Sequence, residues 1–270
     1  MTATGTTPAR AWFWAAVALT LLKLWLTRGL EVYALGGATH DDALFVQLAQ
    51  HLVRGEWLGA YDQFTLAKGP AYSLFIAAAF WAGLPLFLAQ QLLYAGACAA
   101  LVRAVRPALA SAAGRFGRYA LLLINPLSYD TSSLGRVLRQ HLQVPLVLLV
   151  LAGLMALLLR RQRSLRQNLG WCLLLGFAWG GFYLAREDDA FLLPSLALLG
   201  GAWLWQAWRD GAPRLTSALA CLGVVLAAAL LPIPGAGRHG CVPRHIKKVE
   251  RHGAIGGNVL RGPFLLPRAG

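Results

Sequence analysis

Acidic residues are scarce in this chain. Of 270 residues only 11 are Asp or Glu, against 25 Lys and Arg, and charged residues of both signs make up 13%. Soluble domains carry about 25% charged residues. The shortfall, with 57% hydrophobic residues and a mean hydropathy of +0.54, excludes an ordinary water-soluble domain. Cysteine is also sparse. Cys98, Cys172, Cys221 and Cys241 form no close pair, and the first three lie inside apolar runs. That spacing excludes a zinc knuckle or a redox motif and leaves small apolar packing residues. A basic face interleaved with aromatics is missing too. The net charge of +14 therefore points away from nucleic acid. The basic residues fall between apolar runs, where they set topology.

What is present is a series of such runs. A helix needs about 20 apolar residues to cross a bilayer, and runs of that kind lie near 11–30, 85–103, 142–159, 168–185, 190–208 and 215–233. Two shorter ones, 70–83 and 118–128, read as tilted, broken or re-entrant segments. The fold class is all-α, a polytopic transmembrane bundle of about six to eight segments. The first run continues past Lys23 to about Leu30, too long for the apolar core of a cleaved signal. It reads as an uncleaved span, with cleavage near "ALGGA" as the lesser alternative.

Excess Lys and Arg marks cytoplasmic loops. Arg10, the group Arg103, Arg106, Arg115 and Arg118, the group Arg160, Arg161, Arg163 and Arg166, and the pair Arg209 and Arg214 go inside together. The segment 118–128 then crosses outward, and 70–83 does not cross. Nine of the eleven acids fall on the outer loops: Glu31, Asp41, Asp42, Glu56, Asp62, Asp130, Glu187, Asp188 and Asp189. Charges beside spans are costly and mark working surfaces. An outer functional face is the expectation.

Four outer stretches carry the candidate chemistry. In "ATHDDALFVQLAQHLVRGEW" (38–57), Asp41 and Asp42 precede a helical pattern. Leu44, Phe45, Leu48 and Leu52 share one face, and the run is too short and polar to span. It reads as an amphipathic helix at the outer interface. Thr39 with Asp42 resembles a capping box, so capping and free carboxylate chemistry both account for the pair. Lys68, before Gly69-Pro70, is either a snorkelling lysine or a cation for a phosphate. In "YLAREDDAFLLP" (183–194), Arg186, Glu187, Asp188 and Asp189 either tip a solvated hairpin, or Arg186 and Glu187 face the cavity of the aspartates. In "NPLSYDTSSLGRVLRQHLQVP" (125–145), Arg139 and His141 stand at the mouth of the next span. His141 is a polar anchor, a metal ligand or a proton carrier.

An acidic pair after the first span, an amphipathic outer helix, Lys-Gly-Pro at a membrane boundary and "RED" followed by "LLP" resemble a known family. It comprises the bacterial relatives of the protein O-mannosyltransferases and aminoarabinose transferases, integral-membrane glycosyltransferases of the GT-C class. The resemblance covers about residues 10–232 and rests on short motifs in a fixed order and sidedness. It implies transfer of a sugar from a polyprenyl-phosphate donor to an acceptor hydroxyl on the outer face of the bacterial inner membrane, with inversion and with a cytoplasmic N-terminus. Asp41 or Asp42 becomes the catalytic base. Lys68 and Arg186 hold the donor phosphate. His40, Glu187, Asp188, Arg139 and His141 line the site. Some members use acids at this position to hold a divalent metal ion, the one cofactor the resemblance brings in, with Asp41 and Asp42 as ligands. Two departures are visible. Family members are longer, and Gln140 stands in "RVLRQH" where the subgroup carries an acid.

The domain thus runs over 1–234, with 31–69 as its first outer loop. Residues 235–270 lose all periodicity and hold His239, Cys241, His245 and His252 in no zinc spacing. They read as a disordered basic tail or as the out-of-frame end of a longer gene. Two rival classes remain beside the enzyme. A transporter would carry internal repeats or paired broken helices, and neither is seen. A truncated, non-catalytic membrane protein would use Asp41 and Asp42 as caps only.

Overall fold

The computed structural model describes residues 7–30, 42–56, 69–109, 111–125, 136–160, 162–185 and 192–230. The tail beyond 230 lies outside them. Among the described residues every regular element is helical. In chain order these are α1 Thr7–Thr27, α2 Asp42–Val53, α3 Ala71–Trp81, α4 Leu86–Ala104, α5 Ala112–Leu123, α6 Gln140–Leu159, α7 Leu165–Ala185, α8 Leu192–Arg209 and α9 Ala212–Leu230. A single 3₁₀ turn, Arg106–Ala108, follows α4.

Four stretches are long and apolar enough to cross a membrane: α4, α6, α7 and residues Pro213–Leu230 of α9. α1 and α8 rise about 31 and 27 Å, but Arg10 and Lys23 in one, and Gln206 and Arg209 in the other, make them less apolar. α3 rises only about 16 Å, half a hydrocarbon core. The outer surface of the bundle is apolar as well as its interior. Leu121 is 77% exposed, Leu198 74% and Trp14 64%. Side chains of that size exposed in such number suit a lipid solvent better than water.

The core lies where α6 packs against α4 and α7, and α7 against α9. Val150, Leu154, Leu157, Leu175, Phe182 and Val225 fill it. Cys98, Cys172 and Cys221 are buried free thiols, as expected of packing residues. The α7–α9 seam is a small-residue contact. Gly176 and Gly180, four apart on one face of α7, lie against Val225, Ala228 and Ala229. A Cβ on Gly180 would run into the carbonyl oxygen of Ala229. Close backbone approach of this kind is how helices gain contact when lipid removes the hydrophobic drive between them.

The helix ends sort into two groups. Arg160, just past α6, donates from Nη1 to the carbonyl of Ala104 at 2.7 Å and from Nη2 to that of Arg103 at 2.8 Å. Gln162 reaches Asp210 at 3.5 Å, and the Leu165 amide donates to Ser217 Oγ at 3.1 Å. The C-terminal ends of α4, α6 and α8 and the N-terminal ends of α7 and α9 therefore meet at one end. Gly211, with φ +104°, makes the tight α8–α9 turn there. The basic groups around Arg103, Arg160 and Arg209 share this end.

α5 departs from the expected segment 118–128. It starts earlier because Ser111 caps it, accepting from the Gly114 amide at 3.0 Å. It stops at Leu123, deep in the bundle, because its last carbonyls find partners there. Lys23 Nζ donates to the Leu123 carbonyl at 2.9 Å and Tyr94 Oη to that of Leu122 at 2.6 Å. Lys23 is 3% exposed and also sits 4.8 Å from the Tyr94 ring. One turn before Lys23, Thr20 and Tyr119 share a 2.7 Å hydrogen bond. A cation at a helix C-terminus meets both its orphaned carbonyls and its dipole.

Two substitutions check these packings by thermal unfolding in detergent. Gly180→Val drives α7 from α9 and costs about 1–3 kcal/mol, whereas Gly170→Ala, where a Cβ meets nothing within 4 Å, does not lower the midpoint. Lys23→Met keeps the volume but removes the charged donor to the Leu123 carbonyl, at a cost of about 1–3 kcal/mol.

Candidate functional site

The opposite end of the bundle gathers the starts of α2, α3, α4 and α6 and the end of α7. α2 is amphipathic as its sequence requires. Phe45, Leu48, Ala49 and Leu52 are buried, and the helix packs on α3. Phe45 sets its ring edge-on to Tyr72 of α3 at 5.3 Å. The Arg139 guanidinium lies 5.6 Å from the Phe45 centroid. At the far end of α2, His51 Nδ1 and Glu56 Oε2 pair at 2.7 Å. Asp42 is the first residue of α2, one turn before Phe45, so the helix begins beside α3 and the approach to α6.

The contact between α3 and α7 is the closest feature of this end. Gly69 lies on the backbone of Leu184 and Ala185. A Cβ there would collide with the Leu184 carbonyl and stand 3.5 Å from the carbonyl carbon of Ala185. Gly69 follows Lys68 in the chain, and Ala185 precedes Arg186. The described residues that flank the two expected cations in the chain therefore meet here.

Polar groups are buried just inside. Gln90 Nε2 donates to Tyr72 Oη at 2.9 Å. Ser73 Oγ, Gln91 Oε1 and His141 Nδ1 are buried and have no hydrogen-bond partner among the described residues. The His141 ring is held by the backbone of Arg136. These groups lie in the first two turns of α3, α4 and α6. Buried polar atoms are nearly always satisfied, so this end has hydrogen-bonding capacity for a water or a polar ligand.

Deeper in the bundle an apolar cavity of about 350 Å³ opens between α6, α7, α8 and α9, with Leu154, Trp179, Leu196, Trp203 and Val225 among its walls. Trp179 is six residues from Ala185, about 9 Å along α7.

Arg139 and His141 are therefore at this end. Asp41, His40, Lys68, Arg186, Glu187 and Asp188, and the side chain of Asp42, lie outside the described residues. Among the described residues no three His, Cys, Asp or Glu side chains come together to hold a metal. No family model, curated protein or solved structure matches the chain. Sequence reasoning passed over Tyr72, Ser73, Gln90 and Gln91. The signal was there, since two adjacent glutamines interrupt the apolar run 85–103 as charges interrupt others.

Gly69→Ala tests the joint. Its Cβ forces α3 away from the end of α7 and costs about 1–3 kcal/mol in thermal unfolding. Gly96→Ala, open to space within α4, serves as the neutral comparison.

Proposed function

We propose that the chain is a multi-pass glycosyltransferase of the GT-C class. It moves a sugar from a polyprenyl-phosphate donor to an acceptor hydroxyl at the face opposite the arginine-rich end, in the bacterial inner membrane. The observation that carries this reading is the joint of Gly69 with Leu184 and Ala185. It sets Gly69, next after Lys68 in the chain, on Ala185, the residue before Arg186, at the end of the bundle that holds the start of α2 and Arg139 and His141. The apolar cavity further along α7 supports it, since a lipid-linked donor needs room for hydrocarbon below its phosphate. In this scheme α1, α4, α6, α7, α8 and α9 cross the bilayer in alternating directions, the chain returns to the outer face through α5 and the segment that follows it, and α2 and α3 lie at the outer face. The N-terminus is then cytoplasmic, with the arginine-rich end.

The chemistry follows from the residues. Asp41 or Asp42 takes the proton of the acceptor hydroxyl as the oxygen attacks the anomeric carbon. Lys68 and Arg186 stabilise the negative charge that grows on the departing phosphate. One displacement inverts the anomeric centre. Arg139, His141, His40, Glu187 and Asp188 line the acceptor side, with Ser73 and Gln91 offering unmet hydrogen-bonding atoms to sugar hydroxyls. A divalent ion on Asp41 and Asp42 is the variant of this scheme in which the acids bind metal.

Sugar release from a panel of polyprenyl-phosphate sugars by purified protein is the test. Wild type turns over; one of Asp41→Asn and Asp42→Asn loses about 10²–10⁴-fold, the weight of a general base, with its thermal midpoint kept. Lys68→Ala and Arg186→Ala weaken donor binding. A folded wild type that neither binds nor turns over any donor sinks the proposal.

A further inference from the structure

The arginine-rich end holds a second feature, independent of the transferase reading. Arg103 closes α4 and Arg106 begins the 3₁₀ turn. Arg160 follows α6, and Arg163 lies in the turn to α7. Arg160 is locked in place by its two bonds to the carbonyls of Arg103 and Ala104, with its guanidinium 5.2 Å from the Trp171 ring. Arg103, Arg106 and Arg163 make no side-chain hydrogen bond among the described residues, and no described carboxylate pairs with any of the four. Their charges are close enough to be felt. Burial lowers the Arg160 pKa most, and the charges of Arg163, Arg103 and Arg106 lower it further.

Like charges held together by fixed backbone bonds repel, and the natural counterweight is an oxyanion able to meet several guanidinium forks at once. The depth of the cluster identifies its source. Arg103 lies in the last turn of one helix apolar enough to cross a membrane and Arg106 just past it, and Arg160 and Arg163 follow another; Trp171 is of the type that marks the interface. Leu159, next to Arg160, is 42% exposed and offers hydrocarbon just beneath the charges. We propose that Arg103, Arg106, Arg160 and Arg163 form a binding site for the phosphate headgroup of an anionic membrane lipid.

The test uses the full chain in detergent, equilibrated with equal phosphatidylglycerol and phosphatidylcholine, and native mass spectrometry to count retained lipid. Wild type retains phosphatidylglycerol in preference. Arg106→Gln with Arg163→Gln spares the Arg160 bonds and lowers that preference about five-fold for each arginine removed. Arg10→Gln with Arg209→Gln removes equal charge at the same end and keeps the preference. Thermal midpoints report that all three proteins are folded, and if the double variant fails to fold its two single variants carry the test. Equal retention of the two lipids by wild type overturns the proposal. So does an equal loss in the Arg10 and Arg209 variant, which means diffuse surface charge. Displacement of the lipid by millimolar inorganic phosphate overturns the lipid source and leaves a soluble-anion site.

Discussion

A helix that stops inside an apolar bundle leaves carbonyl oxygens that water cannot reach, and each must find a donor within the protein. This requirement governs the architecture. Lys23 meets α5 at Leu123 and Tyr94 meets it at Leu122; at the polar end Arg160 does the same for α4 at Arg103 and Ala104, where the bond to Arg103 is open to solvent. In each case a side chain from another helix completes a backbone that its own helix cannot. Part of the excess of positive charge is therefore structural. It sits on the negative ends of helix dipoles, where a cation is favoured.

Once the ends are met, small residues set the spacing. Gly176 and Gly180 let α7 approach α9, and Gly69 lets the start of α3 approach the end of α7. α7 is thus fixed along one side by α9 and at its tip by α3. The two polar ends of the bundle have different characters for this reason. One is a ring of guanidinium groups around helix C-termini. The other is a mouth where five helix ends converge over buried Tyr72, Ser73, Gln90 and Gln91 and the half-buried His141.

Much of this was legible in the sequence, because apolar runs long enough to matter are hard to disguise. The runs at 85–103, 142–159, 168–185 and 190–208 lie within a few residues of α4, α6, α7 and α8. The face of Leu44, Phe45, Leu48 and Leu52 correctly marked α2. α5 was misjudged by its hydropathy. Arg115 and Arg118 hide its first turns, and Asn125-Pro126, a stop signal just past Leu123, was read through, while the donors that meet its end lie about 100 and 30 residues away. Lys23 was a charge in an apolar run, a signal of function or partnership, but only the fold names the partner. The acidic pair and the two expected phosphate cations are a different case, since their side chains fall outside the described residues and only their flanking segments can be followed.

The long-range bonds at helix ends also bear on the order in which the bundle is made. Membrane proteins are synthesised from the N-terminus, and earlier segments fold first. When α5 emerges, α1 with Lys23 and α4 with Tyr94 are already in place, so its truncated end can be received at once. α4 has no such luck. Its terminal carbonyls wait for Arg160, 56 residues downstream. Until α6 is threaded beside it, those carbonyls are left to water at the polar end, and the tie between α4 and α6 closes only once both helices are in place.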